Sequence, residues 1–261
     1  MADIHPTAII DSSANLGDGV VVGPYSIIEE DVSIGRDTWV GPHVVIRKHT
    51  DIGAANRIFQ FCSIGEMPQH QGYEGEPTRL LIGDRNTIRE YSTINRGTDA
   101  KIGGLGLTRI GDSNMLMAYT HIAHDCILGD QIIFANGASL AGHVEVASHA
   151  ILGGFTLVHQ FCRIGKHCMT GIGCICLQDI PPYIVAAGNP AEPHGINNTG
   201  LKRRDFDSQT IQLLNRAYRI FYRKNLDMET AVERIRNLSD DEHVHSFADF
   251  MISCSKRSII R

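Results

Sequence analysis

The chain of 261 residues is 43% apolar and 20% charged, enough apolar side chain for a substantial core and too little charge for a disordered acidic tail. A formal net charge of -5 excludes a generally basic nucleic-acid-binding surface. Seven cysteines without a Cys-x-x-Cys pair, a start (MADIHPTAII) with neither charged head nor long apolar stretch, and no apolar run of membrane-spanning length predict a reduced, cytoplasmic protein with no integral membrane segment.

From Ile4 to Ile64 an aliphatic residue stands at every sixth position, and glycine often follows it, as at Gly17, Gly23, Gly35, Gly41 and Gly53. Glycine there is expected where the backbone bends tightly and a side chain would crowd the corner. The column continues through Ile82, Ile88 and Ile94, resumes from Ile110 to Ile164, and weakens at Thr170 and Cys176. A period of six does not match the α-helical repeat but suits a short strand plus a corner, and three such units close a triangular coil. Stacked about 4.8 Å apart, the coils between residues 4 and 181 would form a parallel β-prism roughly 45 Å long. Its left-handed sense follows from resemblance to hexapeptide-repeat proteins, since spacing alone does not fix it. Its flat outer faces invite self-association.

Two polar, glycine-rich segments, 66–81 and 95–109, interrupt the period and read as loops extruded from the prism. After Pro181-Pro182 the repeat stops, and Gly188-Asn189-Pro190 marks a break. The predicted organisation is a mainly β unit over 1–190 and a C-terminal helical domain over 191–261. In the latter, Ile211, Leu214, Tyr218, Phe221 and Tyr222 fall on one helical face, and 228–238 and 244–257 have helical spacing.

Of thirteen histidines, His121, His124, His143, His149, His159 and His167 lie where the second run is most regular. Zinc between subunits, as in prisms resembling the gamma carbonic anhydrases, would need histidines five apart on one coil, and no His-x-x-x-x-His occurs. No metal or other cofactor is therefore expected. His149 and His167 read as solvated or hydrogen-bonded surface residues. His124 differs, because residues 18 apart stack: Gly142 lies below His124, and His143 below Asp125. An imidazole beside a glycine with no side chain leaves room for a substrate to reach that glycine's N–H, which can donate to an oxyanion. The imidazole can take a proton from an attacking hydroxyl while Asp125 orients it, so acyl transfer needs no nucleophilic side chain. Cys126 reads as a packing residue.

HIAHDC (His121 to Cys126), LAGH (Leu140 to His143), VHQFC (Val158 to Cys162), QDIPPY (Gln178 to Tyr183) and GLKRR (Gly200 to Arg204) closely resemble the acyl-carrier-protein-dependent UDP-N-acetylglucosamine O-acyltransferases, which open lipid A synthesis. GEPTR (Gly75 to Arg79), IGDRN (Ile82 to Asn86) and RGT (Arg96 to Thr98) extend the resemblance over the whole chain. It implies a homotrimer that moves a 3-hydroxyacyl group from acyl carrier protein to the sugar 3-hydroxyl. His124 would be the base, Asp125 its partner and Gly142 N–H the oxyanion donor. His121, His143, His159 and Gln160 would line the cleft between subunits, Asn197, Arg203 and Arg204 would lie near the nucleotide, and Ile172 would occupy the position that limits acyl-chain length. The alternative for Ile172 is a place in the prism core, since its coil is irregular at Thr170.

Where the family commonly has Gln-Asp-x-Lys-Tyr, this chain has Gln69-His70-Gln71-Gly72-Tyr73, and Thr199 replaces a frequent glutamate. The carboxylate contacts the sugar in that family, so Gln69 and His70 are placed at the sugar, and N-acylation of a 3-amino analogue is the alternative reaction. A non-catalytic scaffold is the alternative of another class. Docking of an acidic carrier protein on a net-negative chain needs a local positive surface, which Lys202, Arg203, Arg204, Arg216, Arg219, Arg223 and Lys224 offer.

Overall fold

In a computed structural model, which describes residues 1–253 and 256–261, the six-residue period winds a left-handed parallel β-helix with three faces. Strands of successive coils pair in parallel 18 residues apart, as Asp3 with Val21, Val21 with Trp39 and Trp39 with Arg57. The three sheets hold 11, 9 and 8 strands. They are termed faces 1, 2 and 3, and their first strands are Asp3–Ile4, Ile9–Ile10 and Asn15–Leu16.

The aliphatic column forms the core, with Val22, Ile28, Ile34, Val40, Ile46 and Ile58 no more than 2% exposed. Thr170 and Cys176, where the pattern weakens, are buried in the same column. Two positions before each column residue lies a second inward-facing set that includes Val20, Ser26, Val32, Thr38, Val44 and Asn56, all buried. Most of its polar members are bonded, with the Thr50 hydroxyl an exception: Ser26 Oγ donates to Gly41 O at 2.7 Å and Asn56 Nδ2 to Gly83 O at 2.9 Å. The Asn56, Asn86 and Asn114 side chains each accept a backbone N–H from the next coil, at 2.7–2.9 Å.

The bend itself falls three positions after the column residue, where Tyr25, His43, Phe61 and Asp125 have φ between 56° and 62°. The glycines that follow the column residue have another cause. A Cβ on Gly23 or Gly35 would stand 2.8 or 2.5 Å from the backbone of the coil below. They permit close stacking of coils rather than the turn.

The corner between faces 1 and 2 carries a column of rings: Tyr25, His43, Phe61, Tyr91 and Tyr119 stack with centroids 4.9–5.3 Å apart. All five are exposed. The corner between faces 2 and 3 is where both irregular segments leave the prism. Residues 67–78 join Ser63–Glu66 to Arg79–Ile82, and 96–106 join Thr93–Asn95 to Leu107–Ile110.

Past Ile184–Ala187, the strand Glu192–Ile196 returns antiparallel, in a region where the sequence suggested only helix. Helices α1 (Asn198–Lys202), α2 (Ser208–Arg223), α3 (Met228–Arg236) and α4 (Glu242–Ile252) follow. Asp207, Asp227 and Asp241 cap the last three by accepting backbone N–H groups. The helix expected over 244–257 ends at Ile252 because the chain turns back onto the prism, with positions 254 and 255 outside the described residues. Asp179 N–H donates to Ser258 O at 2.8 Å, and Ile260 N–H donates to Asp179 O at 3.0 Å. Arg163 Nε meets the buried Asp179 carboxylate at 2.8 Å, and its guanidinium lies 4.4 Å from the Phe250 ring, so α4 is bound to the prism as well.

Candidate active site

One edge of the prism, between faces 2 and 3, gathers most of the chemistry. His124 and Asp125 occupy one coil, Gly142 and His143 the next, and His159 and Gln160 the one after. The loop 67–78 brings Gln69 and His70 to the same edge, and the His70 ring lies edge-on to His124 at 5.4 Å. His121 stands beside it on face 2, its Nδ1 2.7 Å from Thr93 Oγ1.

The stacking inferred from the 18-residue coil is present in atomic detail. A Cβ on Gly142 would stand 2.5 Å from His124 Cε1 and 2.7 Å from its Nε2. Only glycine fits beneath this ring. His124 Nδ1 is 2.7 Å from Asp125 Oδ2, and a carboxylate can only accept, so Nδ1 carries the proton and Nε2 presents its lone pair. His143 packs edge-on to His124 at 5.2 Å, with Nε2 3.7 Å from the same carboxylate.

Asp125 is completely buried, and its oxygens accept more than the imidazole. Thr98 N–H donates to Oδ1 at 3.0 Å, Leu105 N–H donates to Oδ1 at 2.8 Å, and Thr98 Oγ1 donates to Oδ2 at 2.5 Å. Burial pushes this carboxyl's pKa up, but the bonds from His124, Thr98 and Leu105 prevail and hold it below its ordinary value. Burial lowers the pKa of His121, with help from the charge of His124. Burial also lowers that of His143, where the attraction of Asp125 is overcome. Cys126 is fully buried with its thiol pushed up to about 12 by desolvation, as a packing residue requires and a nucleophile does not.

His124, Asp125 and His143 have potential ligand atoms within 4.8 Å of one another, a grouping across two coils that no five-residue histidine spacing marks. Its carboxylate is already engaged by Thr98, Leu105 and His124, so the donor set suits an oriented imidazole better than a cation.

The remaining candidates lie on other edges. Asn197, 6% exposed, caps α1 by accepting the Gly200 N–H and donates to His167 O at 3.1 Å. Arg204 Nη1 donates to His149 O at 3.0 Å and to His167 Nδ1 at 3.2 Å, while Arg203 is exposed. These residues pack on the corner between faces 3 and 1. His167 is therefore not a surface residue: it is buried under the cap, and its ring stacks at 4.5 Å on that of His149, which is half-buried. Ile172 is 85% exposed on the corner between faces 1 and 2, so the core alternative for it does not hold. The C-terminal tail supplies a contact that sequence reasoning missed: Arg257 donates to His159 Nδ1 at 2.8 Å and to Gln160 O at 3.0 Å. Thr98 was also missed, since the Arg-Gly-Thr motif is visible in the sequence but its partner 27 residues away is not.

Residues 179–260 match the family described as UDP N-acetylglucosamine O-acyltransferase, domain 2. The chain is 56% identical over 262 residues to the acyl-[acyl-carrier-protein]–UDP-N-acetylglucosamine O-acyltransferase of Thiobacillus denitrificans, with 100% of both chains covered. It is 53% identical over 262 residues to the protein of that name from Halorhodospira halophila, again with 100% of both covered. Among solved structures, the UDP-N-acetylglucosamine acyltransferase of Francisella novicida superposes with a TM-score of 0.94 at 39% identity, covering 99% of this chain and 94% of that one. The Campylobacter jejuni enzyme gives 0.93 at 39% identity, with 99% of each covered. At this identity over the full length, the chain belongs to the family of UDP-N-acetylglucosamine O-acyltransferases.

Proposed function

We propose that the protein transfers an acyl group from acyl carrier protein to the 3-hydroxyl of UDP-N-acetylglucosamine, the opening reaction of lipid A synthesis, as a cytoplasmic homotrimer. The observation that carries this reading is the His124 imidazole, oriented by Asp125 and seated over Gly142. His124 Nε2 takes the hydroxyl proton as the sugar oxygen attacks the thioester carbonyl. Gly142 N–H donates to the oxyanion. When the intermediate collapses, the carbon–sulfur bond breaks and His124 returns the proton to the departing thiolate. Ester and carrier thiol are the products, and the protein residues handle both proton and charge, so no metal enters the proposed step.

The trimer draws support from the distribution of side chains. Exposed Met115 and Met169 on face 1 and exposed Leu157 on face 2 border the corner that bears the rings, and Arg57 is an exposed charge on face 1, whereas face 3 presents Asp51, Arg109 and Glu145. Three prisms meeting along the ring column would bury that corner and leave a cleft between each pair. In such clefts Asn197, Arg203 and Arg204 of one subunit would face the His124 edge of another, while Ile172 would stand at the inner end beside the ring-bearing corner, which would account for their places on different edges of one chain. Gln69, His70, His121, His143, His159 and Gln160 would line the His124 side.

The test incubates the purified protein with UDP-N-acetylglucosamine and a panel of carrier proteins bearing different acyl chains, with product mass and base lability measured before and after exhaustive chelation. A base-labile ester formed equally in both conditions is expected. Failure with every donor would overturn the reading, and activity lost with a stoichiometric metal would overturn its metal-free step.

A further inference from the structure

We propose that Thr98 is a positioning residue for the reaction, and that the loop 96–106 serves to hold Asp125 ionised and aligned behind His124. This rests on the reading of His124 and Asp125 given above. A fully buried carboxylate is costly unless charge or hydrogen bonds compensate it, and no lysine or arginine bonds to Asp125 among the described residues. Its compensation comes from the loop. Thr98 supplies both its hydroxyl and its N–H, and Leu105 supplies a second N–H.

The loop is shaped for this task. Gly106 N–H donates to Thr98 O at 2.7 Å, which closes the loop behind the threonine. A Cβ on Gly104 would stand 2.1 Å from Thr98 O, so the two strands of the loop approach as closely as backbone allows. From the other side, Asp125 N–H donates to Thr108 Oγ1 at 2.8 Å. Arg96 fixes the loop's start by donating to Gly65 O at 2.9 Å and to the Tyr73 hydroxyl at 2.7 Å, which also ties it to the loop bearing Gln69 and His70. The hydroxyl of Thr98 and the imidazole of His124 share Oδ2. Removing the hydroxyl leaves Oδ2 held by His124 Nδ1 and the longer 3.2 Å bond from Thr98 N–H, which loosens its alignment with the imidazole and disturbs the tautomer on which the base depends, without touching either substrate.

The experiment compares Thr98→Val, Thr98→Ser and Asp125→Ala, with kcat and KM measured for both substrates. Losing a hydrogen bond to a charged group predicts a fall in kcat of about tenfold or more for Thr98→Val, with KM for the sugar nucleotide unchanged and kcat largely restored in Thr98→Ser. In the Asp125→Ala background Thr98→Val should cost nothing further, because its effect passes through the carboxylate. Should the valine variant not fold, Thr98→Ala takes its place. Wild-type kcat in the variant used, or a loss of the same size in the Asp125→Ala background, would overturn the proposal. Full turnover by Asp125→Ala itself would instead overturn the reading of the catalytic pair.

Discussion

The corner between faces 1 and 2 and the corner between faces 2 and 3 have the same backbone: Tyr119 and Asp125 sit at equivalent positions with φ of 63° and 60°. One carries stacked rings and the other an imidazole on a buried carboxylate. The third corner, between faces 3 and 1, holds His149, His167 and Tyr183 beneath the helical cap. A repeating scaffold thus offers three equivalent edges, distinguished by what they carry: exposed rings on one, the His124–Asp125 pair on another and the attached cap on the third. The extruded loops sharpen the division, since both leave at the edge of His124 and one of them satisfies the Asp125 carboxylate.

The largest contrast should come from His124→Ala set beside Tyr119→Ala. The first should lower turnover by about a hundredfold or more, the range for a lost general base, in a protein that keeps its assembly. The second should keep its turnover when assembled and weaken association in sedimentation. Near-normal rates in His124→Ala would dissolve the distinction between the edges. A smaller effect belongs to the cap. Charge reversal at Arg219 and Arg223, both exposed on α2, should raise KM for the acidic carrier donor by about tenfold at low salt, with the sugar nucleotide unaffected. Equal donor kinetics at low salt would place docking elsewhere.

Ile172 tests whether the ring-bearing corner also measures the acyl chain. Opening that position with Ile172→Gly should move the preferred donor to longer chains, each newly buried methylene contributing about 0.8 kcal/mol. An unchanged length profile in the folded variant would confine that corner to assembly. The mildest effect concerns the third corner. Burial, with the neighbouring charges of His149, Arg204 and Lys166, lowers the His167 pKa from 6.5 to about 3. The unfolded chain therefore binds more protons than the folded one between these values, so this contribution is present above pH 6.5 and fades as pH falls toward about 3. His167→Gln, which keeps an acceptor for Arg204, should make the melting temperature fall less steeply over that range, and an equal slope would show that another group governs acid stability.

Much of this was legible in the sequence because the fold is periodic. Once the 18-residue coil is known, Gly142 must lie beneath His124, and the ring packed over Gly142 confirms it. What escaped was whatever breaks the period. The loop of Thr98 meets Asp125 across an irregular stretch, so no stacking rule pairs them. His167 is buried by Arg204 and Phe206, which arrive from the cap, and Ile259 reaches Asp179 only because α4 ends early. The second inward column was missed for a different reason: Ser26, Thr38 and Asn56 are polar, and only their hydrogen bonds make them interior residues.

The 18-residue coil also makes distance along the prism discontinuous. An insertion of six residues would carry everything after it to the next edge, while a whole coil would return it to its own edge about 4.8 Å further along. Gly142 and Ile172 can therefore be moved apart only in such whole-coil steps without leaving their corners. Under the chain-length role expected of Ile172, intermediate acyl lengths would be set by the bulk of its side chain. Chain-length preference would then have a coarse adjustment, written in the number of coils, and a fine one, written in a single residue.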